Sequence, residues 1–185
     1  MQKIIYIPKA KRNELLNKPF NIYFFRKEKI KDILYWIKTC HDSKTREIVL
    51  AVNNKSICWF SYRIYVNKET KEASLYIPNF NIPEIQYRNY SFGTKTLKEA
   101  VKNINLISRK AQIKIINING SLFINDLNYW TISMPMYLKF ARVIIGKSVI
   151  CKINDKPIDT NSLVNIIQKH IDNKIAVNFE FCKEN

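Results

Sequence analysis

Glycine occurs only three times in 185 residues, at positions 93, 120 and 146. Phosphate-cradling loops of the P-loop and dinucleotide-binding kinds place several glycines within a few residues, because the backbone must turn tightly and approach the phosphate without a Cβ in the way. The wide spacing excludes both. A G-x-S-x-G nucleophile elbow is also missing. With only six prolines and no Gly/Ser-rich stretch, no flexible linker is legible. Residues 1–185 therefore read as a single compact domain.

Apolar periodicity fills in the elements. Residues 3–7 and 20–25 read as strands, with a polar, basic loop between them. Residues 27–39 carry Ile30, Ile33, Leu34 and Ile37 at helical spacing and predict a helix. Residues 47–53, 56–66 and 72–77 predict an antiparallel meander turning at Asn53-Asn54 and again over 67–71, since asparagine tolerates the left-handed turn region. Residues 78–92 read as an irregular connection. Thr96-Leu97-Lys98-Glu99 has the capping-box form S/T-x-x-E and predicts a helix over 96–110. Asn119-Gly120 between apolar runs predicts a hairpin. Residues 130–140 are ambiguous, 142–153 read as a strand broken near Gly146, 160–171 as a last helix and 174–182 as a last strand. The fold class expected is α+β, a mostly antiparallel sheet with about three helices. It contains an echo of a helix–strand–turn–strand unit, as pseudo-repeats near 20–80 and 92–153.

Charge is the strongest functional signal. Lys and Arg total 31 against 15 Asp and Glu, a formal net charge of +16. The excess is spread evenly: residues 1–90 carry 17 basic and 8 acidic side chains, and residues 91–185 carry 14 and 7. It belongs to the folded body rather than to a tail. Phosphate backbones attract such surfaces through counterion release. Codons rich in A and T also favour Lys, Asn and Ile, so part of the excess can reflect base composition.

Cys40, Cys58, Cys151 and Cys182 are widely separated and form no C-x-x-C pair. They read as free thiols in a reducing compartment, with no metal site. No apolar run approaches a membrane span, and the apolar patch at 4–7 is too short for a signal-peptide core. The expectation is a cytoplasmic chain, or one of the host cytosol or nucleus if viral, that is not secreted and has no membrane partner.

Candidate chemistry is sparse. Glu69-Thr70-Lys71 has an E-x-K spacing but falls in a predicted turn, and a metal nuclease needs converging carboxylates. His41 and His170 are the only histidines, and an acid–base pair needs them adjacent. Along 57–66, Trp59, Arg63 and Tyr65 share one face of a strand, where rings can stack on bases and arginine can hold phosphate. The other reading of that strand is a sheet covered on both faces. Lys95, Lys98, Lys102, Arg109 and Lys110 form a basic helix face, and Lys27, Lys31 and Arg88 add further positive charge beside aromatic residues.

These observations lead to an expected non-catalytic nucleic-acid-binding protein, for DNA or RNA, of phage, plasmid or viral accessory type, with no cofactor. The alternatives are an inhibitor or assembly factor docking on an acidic protein partner, and a small metal-independent nuclease or toxin.

Overall fold

Residues 33–41 alternate Tyr35, Ile37 and Thr39 toward a buried face, a period of two in a stretch rich in β-branched and aromatic side chains. In the structure, a computed structural model, this segment is a strand. The structure describes residues 21–30, 33–41, 45–52, 55–82, 85–87, 90–122, 127–159 and 177–183. The helix expected over 27–39 is replaced by a hairpin of β1 (Asn21–Ile30) and β2 (Ile33–His41). Its helical stripe was coincidental. The ladder to the next strand, with Ile37 opposite Leu50 and Tyr35 opposite Val52, satisfies backbone groups and buries side chains together.

The remaining elements are β3 (Arg46–Val52), β4 (Lys55–Val66), β5 (Glu72–Asn81), a 3₁₀ turn at Ile85–Tyr87, α1 (Phe92–Ala111), β6 (Lys114–Leu122), α2 (Leu127–Ile144), β7 (Val149–Ile153), β8 (Lys156–Ile158) and β9 (Val177–Lys183). The chain packs as two compact units, one of residues 1–63 and 79–103, the other of residues 64–78 and 104–185.

In the first unit β1 to β4 form an antiparallel meander. Ile48, Leu50, Cys58, Phe60 and Tyr62 are fully buried, and Phe92, Leu97 and Ala100 from the first half of α1 are buried with them. The Tyr35 and Phe92 rings meet at 5.5 Å, and the Tyr62 hydroxyl donates to Asn103 Oδ1. On β4, Ile57 and Ser61 are as buried as Cys58 and Phe60, so this part of the strand is covered on both faces. The Ser61 hydroxyl donates to the buried Glu47 carboxylate at 3.1 Å, which answers the cost of enclosing that charge.

In the second unit the strand order is β5-β6-β9-β7-β8. β5 and β6 pair in parallel, from Glu72–Lys114 to Ile77–Gly120. The other ladders of this unit are antiparallel. A parallel neighbour needs a crossover connection, and α1 lies within it. The expected fold class is corrected accordingly: the sheet is mixed and dominates the fold, and among the described residues there are two helices and no repeated helix–strand–turn–strand unit. The helix expected over 160–171 lies outside the described residues.

Three local corrections have clear causes. Asn119-Gly120 makes no turn but lies within β6. There a Cβ on Gly120 would come within 2.7 Å of the Phe179 ring and 2.9 Å of the Ile77 carbonyl oxygen, so glycine serves close packing. Thr96 is not a cap: α1 begins at Phe92, and the buried Thr96 hydroxyl donates to the Phe92 carbonyl at 2.9 Å. Residues 127–144 form α2 although Pro135 lies inside it. Proline removes one helical hydrogen bond, and burial of Met134, Tyr137, Phe140 and Ala141 offsets the loss. Tyr137 stacks on Phe179 at 5.5 Å.

Candidate functional site

The parallel register between β5 and β6 slips by one residue between Ala73 and Ser74, leaving Ile116 as an extra residue on β6. Such a bulge inverts the alternation that follows it. Beyond it, Ile118 and Gly120 are buried while Asn117 and Asn119 are half-exposed and Ser121 is exposed. Polar side chains of neighbouring strands are thereby set in a row: Tyr76 opposite Asn119, Asn119 opposite Glu180, and Glu180 opposite Lys152. Directly paired residues share a face.

This row floors an open cleft of about 280 Å³ in the second unit. Glu180 is held from two sides. Asn117 Nδ2 donates to its Oε1 at 3.0 Å, and the Lys152 ammonium lies 3.4 Å from its Oε2. The Cys182 sulfur and, after it, the Glu180 carboxylate raise the pKa of Lys152 above its ordinary value. Ser121 Oγ donates to Asn178 Oδ1 at 2.6 Å.

One wall is the tight turn Asn154-Asp155 between β7 and β8. Both residues have positive φ, 47° and 66°, the pattern of the hairpin turn whose twist matches its strands. Two bonds pin it to β9: Asn154 N–H donates to the Asn178 carbonyl at 3.0 Å, and Asn178 N–H donates to Asn154 Oδ1 at 3.2 Å. The cleft is therefore built on strands and one anchored turn.

A second feature belongs to the first unit. α1 opens as Ser91-Phe92-Gly93-Thr94-Lys95, with Ser91 at φ 60° and the Lys95 N–H donating to the Ser91 carbonyl at 3.0 Å. A left-handed residue followed by helical ones forms a concavity of N–H groups that suits an anion. The helix dipole adds to it. No acidic residue lies in the first turn, and Lys95 there is half-exposed. Phe92 fixes the helix start, stacked on Tyr90 at 5.7 Å and tilted against Tyr35 at 5.5 Å.

The residues singled out from sequence are scattered. Lys95, Lys98, Lys102 and Arg109 do follow one stripe of α1, with Lys110 beside it. Lys102 is already tied to Glu99 at 3.2 Å, and Arg109 and Lys110 occupy the last turn, where cations complement the helix dipole. Arg63 Nε donates to Thr45 Oγ1 at 3.0 Å. Trp59 is half-buried, and Tyr65 is 55% exposed. Lys27 lies on β1 opposite Trp36. Lys31, Arg88 and His170 lie outside the described residues, and His41 is placed only as a backbone position of β2. Glu69 and Lys71 lie on an exposed turn. Among the described residues no three of His, Cys, Asp and Glu are grouped to hold a metal ion, and no helix is long and apolar enough to cross a membrane.

Sequence reasoning missed the cleft. Its signals were present in the polar members of β6 (Asn117, Asn119, Ser121) and β9 (Asn178, Glu180), and in Asn154-Asp155 as a turn. The bulge at Ile116, which brings the β6 residues to one face, has no signature of its own.

No protein-family model and no curated protein matches the chain. Solved structures do. Nourseothricin acetyltransferase is 8% identical with a TM-score of 0.39, over 97% of this chain and 98% of that one. Naa50 of Arabidopsis thaliana, in complex with the bisubstrate analogue CoA-Ac-MVNAL, is 15% identical with a TM-score of 0.41, over 74% of this chain and 70% of its own. A putative streptothricin acetyltransferase from Bacillus anthracis str. Ames, in complex with acetyl coenzyme A, is 10% identical with a TM-score of 0.41, over 78% of this chain and 65% of its own. Likenesses at this level assign no activity to the chain. They do run against the expectations of a non-catalytic nucleic-acid-binding protein, of a chain that is not an enzyme and of a nucleic-acid partner: two are described as acetyltransferases and the third as bound to a bisubstrate analogue containing CoA. Those expectations are withdrawn on this finding.

Proposed function

We propose that this chain is an acyltransferase that takes its acyl group from a coenzyme A thioester. The observation that carries the reading is the start of α1. A left-handed Ser91, a first turn free of acidic residues and the half-exposed Lys95 make a local anion site on the crossover between two parallel strands, where pyrophosphate groups are commonly held. The residues present fit such a group: backbone N–H groups and one ammonium, on a helix end fixed by aromatic packing. Acetyl coenzyme A, bound in one comparison structure, with a coenzyme A bisubstrate analogue in another, is the phosphorylated ligand to test. Its thioester supplies an acyl carbon activated toward nucleophiles. Transfer breaks the carbon–sulfur bond, forms a bond from that carbon to the acceptor, and leaves the sulfur to take up a proton.

Incubating the chain with acetyl-CoA and a panel of primary amines, with CoA and acetylated amine separated by chromatography, tests the reading. The expected result is equimolar CoA and acetylated product above the rate without protein. Absence of both turnover and acetyl-CoA binding rejects it.

A further inference from the structure

In the cleft of the second unit, acceptors and carboxylates outnumber cations, although the chain as a whole carries a net charge of +16. Among the described residues, those lining the cleft bring two carboxylates, Glu180 and Asp155, the amide and hydroxyl groups of Asn119, Asn178, Ser121 and Tyr76, and a single cation, Lys152. That cation is already committed to Glu180 at 3.4 Å. A ligand completing this set has to bring positive charge and several N–H donors. An anion would find its one cation occupied and two carboxylates nearby.

We propose that the cleft binds a small primary amine or polyamine, with Glu180 and Asp155 as its anionic partners and Lys152 as an internal competitor for Glu180. Asn117, donating to Glu180 Oε1 at 3.0 Å, keeps the carboxylate oriented when the lysine is displaced. The turn bearing Asp155 is fixed by its two bonds to Asn178, so the second carboxylate is presented by a rigid element, as selective binding requires. About 280 Å³ suits a ligand of on the order of ten non-hydrogen atoms, at the lower end of small-molecule sites. Repulsion from lysines elsewhere on the surface is weakened at physiological salt, where the screening length is about 8 Å. The inference stands on the cleft alone. A bound amine is also the kind of nucleophile that a thioester acylates.

The competition gives the proposal a sign that other accounts lack. Removing Lys152 should strengthen an amine and weaken an anion. The test is calorimetric titration with spermidine, and separately with inorganic phosphate, without any thioester present, so that failure of acyl transfer does not bear on it. Lys152 and Glu180 are both about one-third exposed and Asp155 is exposed, so the variants should fold, which thermal melts confirm. The expected results are saturable spermidine binding, strengthened about three- to tenfold in Lys152→Met, weakened at least tenfold in Glu180→Gln and several-fold in Asp155→Asn, with no phosphate binding. Weaker spermidine binding in Lys152→Met, phosphate binding lost in that variant, or no spermidine binding at millimolar concentration would each overturn the proposal.

Discussion

Gly120 lies beneath the Phe179 ring, so close that a Cβ would sit 2.7 Å from Phe179 Cζ while also 2.9 Å from the Ile77 carbonyl oxygen. One neighbour is an aromatic ring stacked on Tyr137 and the other is backbone, and neither yields cheaply. Gly120→Ala is expected to destabilise the chain by about 1–3 kcal/mol, the usual range for overpacking. Urea unfolding measures this, and an unchanged midpoint would show that the strands can separate freely.

Gln112 predicts a change in the opposite direction. It follows the last residue of α1 with φ 52°, and the bonds from Gln112 N–H to the Arg109 carbonyl and from Ile113 N–H to the Ser108 carbonyl form a Schellman motif. Glycine is the residue that takes this conformation without a Cβ penalty. Gln112→Gly is expected to gain roughly 0.5–1 kcal/mol. A loss in thermal unfolding would contradict it.

The thiols should separate by environment. Burial pushes Cys58 and Cys151 from 9.0 up to about 12, and Cys182 adds to the rise at Cys151. In a Cys40→Ser background at pH 7.5, Cys182, half-buried, should react with a disulfide reagent first, the other two only on unfolding. The unfolded chain releases these protons near pH 9 and the folded chain only near 12. Their contribution to stability is thus intact below pH 9 and lost as pH rises from 9 toward 12. The urea midpoint should fall across that window, less steeply in Cys58→Ala. Equal slopes would contradict the account.

The strands β3, β4 and β5 were legible because each is an apolar run bounded by turn residues. The helix at α1 was legible from its amphipathic face, though not its start, because Thr96 satisfies a capping pattern while sitting inside the helix. Residues 27–39 misled because Ile30, Ile33, Leu34 and Ile37 happened to fall at helical spacing, and only pairing with β3 decides the matter. Asn119-Gly120 misled for a related reason: glycine is required there by the Phe179 ring, a contact 59 positions away along the chain. Net charge misled about function, since a sum over the chain locates no site, whereas the candidate sites depend on a few residues placed by a bulge, a left-handed serine and an anchored turn.

In the proposed function the start of α1 holds the phosphate end of a coenzyme A thioester. The direct test is calorimetric binding of acetyl-CoA to the chain and to Lys95→Glu, which reverses the charge in the first helical turn while leaving the buried face of α1 untouched. The expected result is saturable binding to the chain and at least a tenfold loss in the variant, which still unfolds in one cooperative transition. No binding, or equal binding to both, would contradict it.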